Sequence, residues 1–268
     1  MVLRLKRRNS LSGGILEDLK GRVVVITGGN GGIGLGLAEG VARAGANVII
    51  MGRNRNKLDS ALRRLAEVGG GEVEAIEVDV AKEGSVVEAF SLAKDLFGRV
   101  DSVFANAGIS ASLSSFVDTS VEEWDKVLKV NLLGAVLCLR EAAKIMISQG
   151  EGGSLVAVSS VSAILGAAGI IPYAASKTAM LAVVRALAVE LAPQRIRVNA
   201  ILPGWVETEM TAPLMGNQKF LSSTTERFPA KRWGRPEDFQ QIAAYLADPT
   251  NIHHTGDSMV VDGGYTLG

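Results

Sequence analysis

Apolar residues fall along this chain in short β-branched runs, separated by longer segments of helical period. Val23-Val24-Val25-Ile26, Val48-Ile49-Ile50, Val73 to Val78, Val100 to Ala105, Leu155 to Ser159 and Arg197 to Ile201 read as strands, and Val260-Val261 closes a shorter one. Several of these runs are apolar at successive positions, as a strand must be when helices cover both faces of its sheet. Helical spacing lies between them near residues 32–45, 55–67, 84–97, 122–148, 173–192 and 236–247. This alternation predicts an α/β fold: a single domain built on a doubly wound parallel sheet of about seven strands, with right-handed crossovers that put helices on both faces.

The rhythm is absent at two places. Residues 1–18 begin with a stretch carrying Arg4, Lys6, Arg7 and Arg8, predicted as a basic tail ahead of a catalytic domain over 19–268. The apolar stretch after these charges is too short for a signal peptide. Residues 205–235 mix Trp205, Met210, Met215, Phe220, Phe228 and Trp233 with Ser, Thr and Pro. That is long for a connection, and the segment is predicted to be a lid over a substrate site.

Composition narrows the function classes. Lys plus Arg and Asp plus Glu both number 28, so no global charge recruits nucleic acid or an anionic membrane. No apolar run approaches the length that spans a bilayer. Cys138 is the single cysteine, which rules out an internal disulfide and fits a reducing, cytoplasmic setting. Its neighbours Val136, Leu137 and Leu139 predict a buried, inert thiol. His253 and His254 are adjacent and lack an accompanying ligand cluster, so no metal site is predicted.

Two motifs carry candidate chemistry. Thr27-Gly28-Gly29-Asn30-Gly31-Gly32-Ile33-Gly34 follows the first strand and opens a helix. Gly28 permits a tight turn; Gly32 and Gly34 let the backbone approach a pyrophosphate and the helix approach the strand. The helix N-terminus then offers oriented N–H groups to the phosphates. Strand before and helix after make this a dinucleotide cradle in a Rossmann-like fold. The second strand ends Met51-Gly52-Arg53-Asn54-Arg55, with no acid for a ribose diol before Asp59. Arg53 can pair with a 2′-phosphate, so NADP(H) is favoured and NAD(H) remains open. Asp79 and Val80, after the third strand, are candidates for the adenine edge, with Asp79 equally suited to capping the next helix.

The second motif is Tyr173-Ala174-Ala175-Ser176-Lys177, with Ser160 thirteen residues before Tyr173. Positions i and i+4 share a helix face, so Lys177 can lie beside the Tyr173 phenol. A neighbouring cation favours phenolate and is expected to lower the Tyr173 pKa toward the working range of an acid/base catalyst.

In order and spacing these residues resemble the short-chain dehydrogenase/reductase family, over about Leu19 to Gly264. The glycine turn, Asn106-Ala107-Gly108 after the fourth strand, Asn131, Ser160, Tyr173, Lys177, Pro203-Gly204 with Thr208, and Val261-Asp262-Gly263-Gly264 carry the resemblance. One departure is Ala105, where the family more often has a second Asn. The resemblance implies hydride transfer between a nicotinamide cofactor and a ketone or secondary alcohol. Tyr173 would be the general acid/base and Ser160 the carbonyl-binding hydroxyl. Lys177 would hold the nicotinamide ribose. Asn131 would link Lys177 to solvent through a helix carbonyl and a water. Gly28, Asn30, Gly32, Ile33, Gly34, Arg53, Asn54, Asp79, Val80, Asn106, Ala107, Gly108, Tyr173, Lys177, Pro203, Gly204, Val206 and Thr208 would contact the cofactor.

Expected pocket residues are Ser110, Ser162, Ile164, Leu165, Ile170, Trp205, Met210 and Met215, none of them charged. A neutral carbonyl or alcohol is therefore the expected small-molecule substrate, with a sugar or polyol as the alternative. A non-catalytic dinucleotide-binding scaffold is the rival of another class. Apolar positions on the fourth and fifth helical segments (Leu128, Leu132, Val136, Leu181, Val184 and Leu187) suggest pairing between copies, and the resemblance implies a homotetramer.

Overall fold

The computed structural model describes residues 18–268, so the basic tail expected over 1–18 lies almost wholly outside the described residues. Seven strands form one parallel sheet: β1 (Val23–Thr27), β2 (Asn47–Gly52), β3 (Val73–Glu77), β4 (Ser102–Ala105), β5 (Gly153–Val158), β6 (Ile196–Pro203) and β7 (Ser258–Val261). Their order is β3-β2-β1-β4-β5-β6-β7. The chain winds outward from β1 in one direction, then returns to β4 and winds outward in the other. The strand order therefore reverses between β1 and β4, and the crevice at their carboxyl ends is where such sheets hold ligands.

The helices cover both faces, as the uninterrupted apolar strands require. One core cluster joins Val23, Val25, Val103, Ala105, Leu155 and Ala157 to Phe90, Leu139, Met180 and Val184. The other joins Val24, Ile26, Phe104 and Val156 to Leu37, Val41, Leu58, Phe239 and Leu246. The first face carries α3 (Glu83–Phe97), α5 (Ala135–Gln149) and α6 (Ile171–Glu190); the second carries α1 (Gly32–Arg43), α2 (Arg55–Val68) and α9 (Gln240–Ala247). Successive strand residues feed opposite faces, following the two-residue repeat of the pleat.

Close backbone approach fixes how α1 sits. A Cβ at Gly36 would lie 1.9 Å from the Pro236 carbonyl oxygen, and one at Gly40 would lie 2.2 Å from that of Gln240. Only glycine lets the 3-10 turn Pro236–Phe239 and α9 lie against α1. Glu39, buried in that contact, is paired with Arg64 and accepts from Gln240 Nε2 at 2.9 Å.

Several elements differ from the sequence reading. The helix predicted over 122–148 is α4 (Val121–Leu128), a π segment (Lys129–Gly134) and α5 in succession. The segment 205–235 contains two helices, α7 (Ala212–Met215) and α8 (Gln218–Arg227). Of the apolar positions expected to pair between copies, Leu181 and Val184 are buried in the chain's own core. Helix α6 lies flat on the sheet and uses that stripe itself. Cys138 is buried as predicted, and burial pushes its thiol up to about 12.

Candidate active site

The first strand ends in a lock. Thr27 Oγ1 accepts from the backbone N–H groups of Asn106 and Ala107, both at 3.0 Å. Asn106 Nδ2 returns bonds to the Thr27 carbonyl at 2.9 Å and the Gly28 carbonyl at 3.3 Å. These four contacts pin β1 to β4 at the switch point and engage the Asn106 amide nitrogen.

Beyond the lock the chain turns through Gly28, at φ 67°, a conformation that favours glycine. A Cβ at Gly34 would collide with the Gly28 carbonyl oxygen at 2.2 Å, so the turn folds tightly onto α1. A Cβ at Gly31 would meet nothing within 4 Å, so the cradle opens there. No side chain caps α1, and its first turn holds no acid. Its leading N–H groups are thus presented to the crevice as an anion site. Ile33 backs the turn by packing against the second core cluster. Asn30 leans toward the end of β2, its amide about 3.0 Å from where a Gly52 Cβ would be.

Several expected cofactor contacts have side chains already engaged. Asn54 caps α2, accepting from Lys57 N at 3.1 Å. Asp79 accepts from Ala81 N at 3.1 Å, which makes it the turn-capping acid. Val80 is buried against Gly134 of the π segment, and Val206 is buried in the second core cluster. Arg53 is exposed at the end of β2.

The reactive groups come from β5 and α6. Ser160 follows β5 and is buried; its Oγ accepts from Ser162 N at 3.0 Å and neighbours the Tyr173 phenol, whose pKa it lowers. The preceding Ser159 donates instead to the Lys177 carbonyl at 2.8 Å, tying α6 to the strand. Ser160 is thus the hydroxyl beside the phenol, as the spacing suggested. Pro172 in the first turn of α6 suits that position, since its missing N–H would have had no helical partner. Lys177, one turn after Tyr173, is buried, and its Nζ donates to the Val158 carbonyl at 2.8 Å. The same nitrogen lies 5.6 Å from the Tyr173 ring centroid.

The electrostatics correct one expectation. Burial raises the Tyr173 pKa above that of an ordinary phenol, and the neighbouring Ser160 hydroxyl only partly offsets the rise. Burial also lowers the Lys177 ammonium to about 8. Lys177 gives its hydrogen bond to a carbonyl, and burial sets the direction of both shifts.

Asn131 is buried. It sits in the π segment with Oδ1 accepting from Ile109 N at 2.8 Å. Its Nδ2 donates to the Ile109 carbonyl at 2.9 Å and to Ser176 Oγ at 3.3 Å. Ser176 in turn donates to the Tyr173 carbonyl at 2.6 Å. Asn131 therefore joins the loop after β4 to the first turn of α6. The sequence signal for Ser159 and Ser176 as positioning residues was absent, since both depend on contacts across the fold. Gly108 completes the floor: a Cβ there would stand 3.3 Å from Asn131 Oδ1 and 3.6 Å from Lys177 Nζ.

The expected substrate residues lie beyond the carboxyl ends of three neighbouring strands: Ser110 after β4, Ser162, Ile164, Leu165 and Ile170 after β5, and Met210 and Met215 after β6. Ser110 uses its hydroxyl on the Ala111 carbonyl at 3.2 Å. Ile164 and Met210 are exposed and uncovered. Trp205 is half-buried; its ring stacks on Trp233 with centroids 5.4 Å apart and meets Phe220 edge-on at 5.3 Å. The three rings form an aromatic cluster within 205–235. Pro203 ends β6, and Gly204 admits Asp262, whose Cβ would stand 2.8 Å from an added Cβ. Among the described residues, no group of three or more His, Cys, Asp or Glu side chains could hold a metal ion.

Comparison with known proteins agrees with this geometry. A family model described as enoyl-(acyl carrier protein) reductase matches residues 28–266. The chain belongs to the short-chain dehydrogenase/reductase family. It is 35% identical to an NADP-dependent (R)-specific alcohol dehydrogenase of Lentilactobacillus kefiri, over 93% of this chain and 98% of that one. It is 33% identical to a gluconate 5-dehydrogenase of Gluconobacter oxydans, over 94% and 97% of the two chains. A short-chain type dehydrogenase/reductase from Mycobacterium marinum superposes with a TM-score of 0.89 at 34% identity, covering 94% of this chain and 98% of that one. Oxidoreduction at alcohol and carbonyl groups, on a single Rossmann-like domain, is the chemistry of this chain's family.

Proposed function

We propose that this protein interconverts a neutral ketone and its secondary alcohol with NADP(H), using Tyr173 as general acid/base. The observation that carries the reading is the meeting of Ser160, after β5, with the Tyr173 phenol and the buried Lys177 on α6, at the same sheet edge as the glycine cradle two strands away. The cradle fits a dinucleotide: Gly31 leaves it open, α1 brings uncapped N–H groups, and no acid stands between Gly52 and Asp59 to claim a bare ribose. Arg53, exposed where β2 ends, would meet the 2′-phosphate, and Lys177 the nicotinamide ribose.

The bound nicotinamide supplies or accepts the hydride. In this reading the Ser160 and Tyr173 hydroxyls together hold the substrate oxygen. In reduction, Tyr173 donates its proton to that oxygen as negative charge develops on it, while Ser160 fixes its position. The raised phenol pKa keeps this proton in place at neutral pH. Lys177, titrating near 8, is suited to replenishing it. In oxidation the same groups act in reverse.

The uncharged set Ser162, Ile164, Leu165, Ile170, Met210 and Met215 supports a neutral, partly apolar substrate, and α7 and α8 support a lid over 205–235. A polyol or keto-sugar is the second reading, supported by the likeness to the Gluconobacter oxydans gluconate 5-dehydrogenase. A cytoplasmic homotetramer fits the single buried cysteine and the partly exposed Leu128, Leu132, Val136 and Leu187. No helix among the described residues is long and apolar enough to cross a membrane.

A ketone, polyol and acyl-thioester panel with NADPH and NADH, run on wild type and Arg53→Ala, tests the reading. Turnover of neutral ketones with NADPH, and loss of that preference in Arg53→Ala, is expected. Activity confined to charged thioesters, or a preference untouched by the substitution, refutes it.

A further inference from the structure

The lid segment reaches beyond the substrate side of the crevice. After β6 the chain carries Thr208 over the glycine turn, with its Cγ2 3.1 Å from where a Gly32 Cβ would be. The next residue, Glu209, continues past the turn and ion-pairs with Lys57 in the first turn of α2. Asn54 fixes that first turn by capping Lys57 N at 3.1 Å. Lys57 is therefore held on the same short segment as Arg53, where β2 ends. One lid strand thus bridges the mouth of the dinucleotide crevice, from the β6 side to the β2 side.

Three cations stand on that segment: Arg53, Arg55 and Lys57. Arg55 is engaged within its own helix by Asp59 at 3.0 Å. Lys57 is engaged by the lid. Both partners of the Lys57–Glu209 pair are open to solvent, at 46% and 78% side-chain exposure. Such a pair is weak, about 0–1 kcal/mol, and easily exchanged. A phosphate monoester carries more charge than a carboxylate and three acceptor oxygens, so it competes well for an ammonium.

We propose that Lys57 is a specificity-determining residue for the cofactor's 2′-phosphate, and that Glu209 holds its ammonium until the phosphate takes it. The inference rests on the reading of the crevice as an NADP(H) site. Binding of the phosphorylated dinucleotide then releases Glu209 and unlatches the lid at its adenosine end. A dinucleotide with a bare ribose leaves the latch closed. Glu209 sets the threshold: its negative charge beside the phosphate position opposes entry, and its partnership with Lys57 makes lid movement depend on that phosphate.

The test uses the full chain with 2′,5′-ADP and 5′-AMP, which carry no nicotinamide and support no turnover. Calorimetry reads affinity, and hydrogen exchange reads the lid around residues 208–215. In wild type, 2′,5′-ADP raises lid exchange and 5′-AMP does not. Lys57→Gln weakens 2′,5′-ADP by about five- to tenfold with 5′-AMP unchanged, the scale of one charge-assisted contact. Glu209→Gln tightens 2′,5′-ADP by about two- to fivefold and raises exchange of the free lid to the level of the loaded wild type. Unchanged 2′,5′-ADP affinity in Lys57→Gln, or wild-type lid exchange in Glu209→Gln, overturns the latch and leaves the cofactor reading standing. Wild type that binds 2′,5′-ADP no better than 5′-AMP overturns the NADP(H) reading itself, and the latch with it.

Discussion

The Nζ of Lys177 stands 5.6 Å from the ring centroid of Tyr173 and donates to the Val158 carbonyl at 2.8 Å. A carbonyl satisfies the amine without supplying a counter-charge. Burial biases each group toward its neutral form: the phenol upward, the amine down to about 8.

That bias makes stability depend on pH. The Lys177 pKa in the fold lies below that of an unfolded lysine, so the unfolded chain binds more protons between about pH 8 and pH 10 and stability rises with pH across that window. Below it both states are protonated and the full penalty is present. Cofactor-free wild type should gain on the order of 2 kcal/mol across the window relative to Lys177→Met. Urea denaturation of both proteins at the two ends of the window checks this; parallel curves would contradict a depressed amine.

Tyr173→Phe removes the transferable proton and leaves the ring in place. Turnover should fall at least about a hundredfold, while dinucleotide affinity stays within about threefold. Steady-state rates and a fluorescence titration measure the two separately. Undiminished turnover would favour the non-catalytic scaffold over the enzyme.

Asn131→Ala cuts the link from the loop after β4 to Ser176 and leaves the Ile109 amide without its partner. A stability loss of about 1–3 kcal/mol is expected, together with a lower kcat, as the first turn of α6 loses its tether. Asn131→Asp keeps the acceptor for Ile109 N but turns a carboxylate oxygen toward the Ile109 carbonyl, so it should be no more stable than Asn131→Ala at neutral pH. An Asn131→Asp protein of wild-type stability would argue against these hydrogen bonds as the cause.

Two glycines on one helix approach should behave differently. Gly36→Ala drives a Cβ to 1.9 Å from the Pro236 carbonyl oxygen, and either α1 or the 3-10 turn must move. A loss of about 3 kcal/mol or more in denaturant stability follows. Gly31→Ala meets nothing within 4 Å and has an extended backbone that any residue adopts. Its stability should match wild type, while dinucleotide affinity falls about tenfold as the methyl fills the cradle's mouth. Denaturation and titration of the pair separate packing from ligand contact.

The order of strands and helices, the glycine cradle, and the Ser160, Tyr173 and Lys177 set were legible because each is local. A buried parallel strand must be apolar at successive positions, a phosphate turn must be glycine-rich, and a Tyr–Lys pair one turn apart must share a helix face. No local pattern could show that Asn106 would be spent on the carbonyls of Thr27 and Gly28, or that Trp205 would stack on Trp233. Nor could it show that Leu181 and Val184 would be covered by the chain's own sheet. The direction of the Tyr173 shift was hidden for the same reason. Sequence spacing sets which groups can meet, but a pKa answers to the surrounding dielectric and to the partner that takes each hydrogen bond, and only the folded chain puts Val158 beside the lysine.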